Sequence, residues 1–225
     1  GDAVEIHPRG LAAKVRGVQL HGTAAAEAVA GMRCAINLAG VGTEDLFRGD
    51  VLGHPGALAP SHILDVRFQL LPTASAPLRR RTRILLHHGT AQLLATLVLV
   101  EADALPPGGQ ALAQVRLDAT TPLAALPGDR FIARGFVVQS SYGTTLGGGE
   151  IVRVLAPKAR RVGDAAAQLA QLARARDDER LALEVKAAGA AGLDAAGLSR
   201  RLGLGPAGLD AALSRLVDAG DLARI

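Results

Sequence analysis

The sequence predicts a mainly β chain with a C-terminal α-helical module: two antiparallel β-barrels followed by a winged helix. Three observations carry this. All five aromatic residues (Phe47, Phe68, Phe131, Phe136 and Tyr142) and ten of the eleven prolines precede position 158. Up to that point, short apolar runs alternate with Gly- and Pro-bearing turns, the spacing of closed β structures. From Val162 onward the chain is rich in Ala, Leu, Arg and Asp with a single proline, which reads as helices.

The elements follow in order. Ala3-Val4-Glu5-Ile6 is followed by the turn His7-Pro8-Arg9-Gly10, and Ala13 to Val18 alternates. Cys34 to Leu38 ends at Gly40, and Val51-Leu52 ends at Gly53-His54-Pro55-Gly56. Leu58-Ala59-Pro60-Ser61-His62 reads as a linker, which divides the series into barrels over 1–57 and 62–156. The second series comprises Ile63 to Leu70, Thr82 to Leu86, Leu93 to Glu101, Ala111 to Leu117, Arg130 to Phe136 and Glu150 to Leu155. In the tail, 162–225, helices are expected from Asp164 (an N-cap) to about Arg176 and from Asp178 to Ala188. A shorter one follows from Asp194 to Leu202. Pro206, at its first turn, opens the last, which ends at Gly220 before a strand start at Asp221 to Ile225. Short helix, Gly-bearing turn, longer helix, strand is the winged-helix order.

Composition removes several functions. One cysteine, Cys34, permits neither a disulfide framework nor a multi-thiolate zinc site. No apolar run is long enough to span a membrane. Gly1-Asp2-Ala3-Val4 lacks both a signal-peptide pattern and an initiator Met, so the chain reads as a piece of a longer protein. His87 and His88 are adjacent and would face opposite sides of a strand, so they form no chelate. Gly143-Thr144-Thr145-Leu146-Gly147-Gly148-Gly149-Glu150 lacks the Lys and the following helix of a phosphate loop, and reads instead as a hairpin needing positive φ. The chain is therefore expected to be no enzyme, with no metal and no cofactor of its own.

The net charge is +4, with 25 basic residues that are nearly all Arg. Nucleic acid is thus a candidate partner. Arg79, Arg81 and Arg83, if on one strand, share a face at about 6–7 Å intervals, close to phosphate spacing; the same residues would also serve as a solvated edge that blunts strand pairing. Lys158, Arg160 and Arg161 are either RNA contacts or hinge residues. The last helix carries one Arg, Arg215, against Asp210 and Asp218, a poor balance for a groove reader. That leaves Arg200 and Arg201 as the module's RNA candidates.

Ala30-Gly31-Met32-Arg33-Cys34-Ala35-Ile36-Asn37-Leu38-Ala39-Gly40, with Leu46-Phe47-Arg48-Gly49-Asp50-Val51-Leu52, resembles the second domain of translational GTPases. Leu126-Pro127-Gly128-Asp129-Arg130-Phe131-Ile132-Ala133-Arg134, with Thr144 to Gly149, resembles the third domain of elongation factor Tu. His87-His88-Gly89-Thr90, Pro157-Lys158-Ala159-Arg160-Arg161 and the winged helix after them resemble the bacterial selenocysteine-specific elongation factors (SelB type). The resemblance implies translation-factor barrels that bind selenocysteyl-tRNA for delivery to the ribosome at UGA codons, with Arg33, Arg79, Arg81, Arg83 and Arg134 facing the aminoacyl-tRNA. It implies a winged helix that links to later modules holding an mRNA hairpin. GTP and Mg would belong to a missing N-terminal GTPase domain. The protein would be cytoplasmic and monomeric, with no membrane partner. Arg33 would attract the anionic selenolate; otherwise it is an ordinary surface arginine at a strand start. The competing reading is a barrel-plus-winged-helix scaffold for protein contacts without nucleic acid. A DNA-binding regulator is a third, weakened by the modest charge.

Overall fold

The structure, a computed structural model, describes residues 1–139, 143–158 and 162–222. Five strands come first: β1 (Ala3–His7), β2 (Leu11–Leu20), β3 (Thr23–Ala25), β4 (Cys34–Ala39) and β5 (Val51–Gly53). Lys14 of β2 lies opposite both Ala3 and Ala39, so β1 and β4 occupy opposite edges of β2. Val18 lies opposite both Ala25 and Ile36, so β3 continues along the β1 edge. β5 then pairs with β1.

These ladders stay open, whereas the sequence led to the expectation of a first barrel. β3 and β5 are three residues each. Within 1–57 only Ile6 and His7 are buried. Val29, Met32 and Phe47 are each more than half exposed.

The closed barrel comes second. Its ring runs β11 (Gln110–Leu117), β6 (Ile63–Leu70), β13 (Gly143–Arg153), β12 (Arg130–Gln139), β8 (Arg81–His88) and β9 (Ala91–Leu99), and β9 returns to β11. Alternation fills the interior: Leu64, Val66 and Phe68 from β6, Ile84 and Leu86 from β8, Ala113 and Val115 from β11, Phe131 and Ala133 from β12. Phe68 and Phe131 stack with centroids 6.4 Å apart. A small ladder of β7 (Leu78–Arg79) and β10 (Ala104–Leu105) sits beside the ring.

The Gly-rich run lies inside β13 rather than in a turn. A Cβ on Gly147 would meet the Gln69 carbonyl oxygen at 2.0 Å, and one on Gly149 the Arg67 carbonyl oxygen at 2.0 Å. These glycines let β6 and β13 approach closely. Of the run, only Gly143 has positive φ, at +58°.

Four helices follow: α1 (Val162–Arg174), α2 (Asp177–Ala188), α3 (Ala195–Leu202) and α4 (Pro206–Asp218). α1 opens two residues before Asp164. Its Leu169 and Leu172 pack on Val100 and Val152 of the barrel wall, with Leu183 of α2 packed against the same cluster. α2 to α4 share their own core of Leu181, Leu198, Leu209, Ala212 and Leu216. Asp194 caps α3 by accepting from the Gly197 N–H at 2.7 Å, and Pro206 occupies the first turn of α4. Asp221 and Leu222 are not in a strand, and the remainder of the expected wing lies outside the described residues. Among the described residues no helix is long and apolar enough to cross a membrane.

Candidate nucleic-acid interface

The outer wall of the barrel is set by the same alternation that fills its interior. With Ile84 and Leu86 inward, Arg81, Arg83, Leu85 and His87 of β8 point outward. Arg83 and Arg116 both lie opposite Thr96 of β9, which places the two arginines in one row across three strands. At ordinary strand spacing they stand about 10 Å apart. On the other side of β8, Arg134 of β12 lies opposite Leu85, and Ile132 opposite His87. Registry therefore gathers Arg81, Arg83, Arg116 and Arg134 on one face, with Ile132 and Leu94 exposed among them.

The cations affect one another. Burial, then the charge of Arg81, push the Arg116 pKa below its usual value, while Asp65 opposes this. Arg116 remains a cation, because an arginine starts far above neutrality. It donates from Nη2 to Gln114 Oε1 at 2.9 Å. Burial, then the charges of Arg134 and Arg48, push the His87 imidazole below its ordinary value.

Arg48 reaches this face from the first sheet. Its Nε donates to the Thr90 carbonyl at 2.9 Å, and the Gly49 N–H donates to Thr90 Oγ1 at 3.1 Å. Gly49 has φ +103°, and a Cβ there would meet the Ala91 Cβ at 2.9 Å. The Arg48-Gly49 turn is thus seated on the β8–β9 hairpin and joins sheet to barrel. Nearby, Arg9 lies 4.7 Å over the Phe47 ring and pairs with Asp50 at 2.6 Å. His88, facing away from His87, pairs with Asp129 at 2.9 Å; the same carboxylate oxygen accepts from the Leu126 N–H. Among the described residues no group of three or more His, Cys, Asp or Glu is placed to hold a metal ion.

The residues singled out in the sequence separate into groups. Arg81, Arg83 and Arg134 come together. Arg79 does not share their strand: the chain bends at Arg80, whose N–H donates to the Asp103 carbonyl while its own carbonyl accepts from Leu99. Arg79 therefore lies on the β7–β10 ladder and meets Arg83 only at the rim of an apolar groove at the barrel's end. Arg33 is exposed at the start of β4 on the open sheet, with no ion pair among the described residues. Lys158 is exposed past the barrel, and Arg160 and Arg161 lie outside the described residues. Arg200 is half-buried in the last turn of α3. Arg201, part-exposed, reaches toward Glu184 at 3.5 Å and the Leu155 carbonyl at 3.4 Å. Arg215 on α4 makes a two-point ion pair with Asp178 of α2.

Sequence reasoning missed Arg116 and His87 on this face. The alternation of Gln110 to Leu117 was the available signal for Arg116. Its juxtaposition with Arg83 needs the register.

Residues 65–158 match the family described as the selenocysteine-specific elongation factor, beta-barrel domain. The selenocysteine-specific elongation factor of Desulfomicrobium baculatum is 41% identical over 198 residues, 88% of this chain and 30% of that protein. Elongation factor 1-alpha of Archaeoglobus fulgidus is 32% identical over 114 residues, 49% of this chain and 26% of that protein. The fold is similar to that of the bacterial selenocysteine-specific elongation factor EF-Sec, with a TM-score of 0.71 at 23% identity over 92% of this chain and 31% of that one. The chain thus spans less than a third of the length of these curated relatives. Residues 65–158 thus carry the beta-barrel domain of the selenocysteine-specific elongation factors, and the chain is similar to such a factor over 88% of its length.

Proposed function

We propose that this chain is the part of a selenocysteine-specific elongation factor that holds selenocysteyl-tRNA, and that its helices link to further modules that bind an mRNA hairpin. In the whole protein, GTP and Mg would be held by a separate GTPase domain, and delivery would be to the ribosome in the cytoplasm. The observation that supports this best is the registered arginine face of Arg81, Arg83, Arg116 and Arg134. Four guanidinium groups on a rigid wall, interleaved with exposed apolar side chains, suit a phosphate backbone. Arg48 would extend the same face onto the first sheet.

Arg33 is the proposed contact to the amino acid. A selenol is more acidic than a thiol and is anionic at neutral pH, so an exposed guanidinium discriminates it from a hydroxyl through a charge-assisted bond. In the full-length factor, Arg33→Ala should weaken selenocysteyl-tRNA binding by about 1.5–3 kcal/mol and leave seryl-tRNA nearly unchanged. Equal loss for both would make Arg33 structural or a backbone contact. An Arg81→Ala/Arg83→Ala variant should weaken both tRNAs alike, and unchanged affinity would sink the barrel-face reading.

A further inference from the structure

Among the described residues, every buried polar or charged side chain except His7 lies where the barrel meets the helices: Ser61, Asp65, Gln114, Arg153 and Glu184. Gln114 Nε2 donates to Asp65 Oδ1 at 2.7 Å and to the Pro157 carbonyl at 2.9 Å. Glu184 of α2, only 2% exposed, accepts from Arg153 Nη2 of β13 at 2.9 Å, and Arg153 Nε lies 2.7 Å from its other carboxylate oxygen as an ion-pair contact without hydrogen-bond alignment. Arg201 of α3 approaches the same carboxylate at 3.5 Å. Two outlying arginines cross the boundary in opposite directions. Arg67 of β6 donates to the Ala173 carbonyl near the end of α1 at 2.8 Å, and Arg180 of α2 donates to the Val152 carbonyl of β13.

Just past β13, Leu155 lies among these contacts. Leu155 has φ +52°, a left-handed conformation that a residue with a Cβ adopts at a cost. Its N–H donates to Ser61 Oγ at 2.9 Å, and its carbonyl accepts from Arg201. Both sides of the strained residue are thus tied, one to the barrel and one to α3.

We propose that this junction is a latched hinge: Leu155 is the strained pivot, and Glu184, gripped by Arg153 and Arg201, is the latch that fixes the helices in one orientation on the barrel. A buried ion pair contributes little net stability compared with apolar packing, yet removing one partner leaves a buried charge uncompensated. Such a pair is therefore poor glue but a strict register. Apolar contacts of α1 with the barrel wall tolerate sliding, whereas a buried, hydrogen-bonded guanidinium–carboxylate pair does not, because a shift would leave both charges unpaired. While the latch is closed, whatever follows the helices is held at a fixed offset from the arginine face. Opening it releases the strain at Leu155 and frees the helices to swing. The inference stands whether or not that face binds RNA.

The test is a distance distribution in the whole chain. Spin labels go on cysteines introduced at Gln92 on the barrel and Ala211 on α4, both exposed, in a Cys34→Ser background. Pulsed electron resonance should give one narrow distance peak. Glu184→Gln, which keeps the shape and removes the charge, should lose that single peak and give a broad distribution at unchanged helical circular dichroism. A broad distribution in the unmodified junction, or a narrow one in Glu184→Gln, overturns the proposal. If Glu184→Gln loses helical signal, Arg201→Gln at the part-exposed rim of the latch takes its place: broadening supports the latch and a narrow peak overturns it.

Discussion

At the residue scale, Asp65 shows how position sets chemistry. Burial raises its pKa from 3.8 to about 6, against the opposing hydrogen bond from Gln114 and the charge of Arg153. The folded protein therefore holds this proton more tightly than the unfolded chain. The group costs stability above its folded pKa, and the cost fades as pH falls from about 6 toward the unfolded value. Asp65→Asn should accordingly stabilise the chain by up to about 3 kcal/mol near pH 7 and leave it close to wild type near pH 4, read from urea midpoints at the two pH values. Equal effects at both would remove the burial argument. Gly149 is governed by space instead. Gly149→Ala puts a methyl group 2.0 Å from the Arg67 carbonyl oxygen, so β6 and β13 must separate. A loss of about 1–3 kcal/mol or more in denaturant unfolding is expected, and an unchanged midpoint would contradict the close approach.

At the element scale, α4 carries the apolar stripe of a core helix, and its single arginine is occupied. Arg215 pairs with Asp178, which draws the Asp178 carboxyl below the usual range through the hydrogen bond first and the charge second. With Asp210 and Asp218 on the same helix, little positive field is left for a phosphate backbone. Arg215→Ala should leave the affinity of the chain for a structured RNA unchanged in filter binding, while Arg83→Ala lowers it. A loss with Arg215→Ala comparable to that with Arg83→Ala would make α4 a reader. The core beneath α4 depends on Leu181, which is fully buried. Leu181→Ala should cost the α2–α4 unit about 2–5 kcal/mol. Hydrogen exchange should locate the loss in those helices and leave protection of the barrel strands intact, because the barrel has its own core.

At the scale of the whole molecule, the barrel is the rigid centre to which the open sheet attaches through Arg48 and Gly49, and the helices through Glu184. The electrostatic binding proposed for its face has a measurable signature: each phosphate-contacting arginine removed should reduce the slope of log affinity against log salt by about 1. Arg81→Ala/Arg83→Ala should therefore flatten the slope by about 2. A lowered affinity at constant slope would mean that the two side chains support the barrel rather than meet phosphate. The sequence by itself determined the order of the main strands and helices, the Pro206 start and the opposite facing of His87 and His88; the cap it offered, Asp164, lies inside α1, and Asp194, read only as a helix start, is the one that caps. Caps, turns and alternation are local properties, settled within a few residues. It also carried the family resemblance, through Ala30 to Gly40 and Leu126 to Arg134. Only the tertiary structure decided that Arg116 joins Arg83 while Arg79 leaves, that Gly147 and Gly149 serve a close approach rather than a turn, and that Arg201 reaches toward Glu184. Those outcomes depend on register and docking between distant segments, such as Arg153 and Glu184, 31 residues apart, and no local pattern in the chain encodes them.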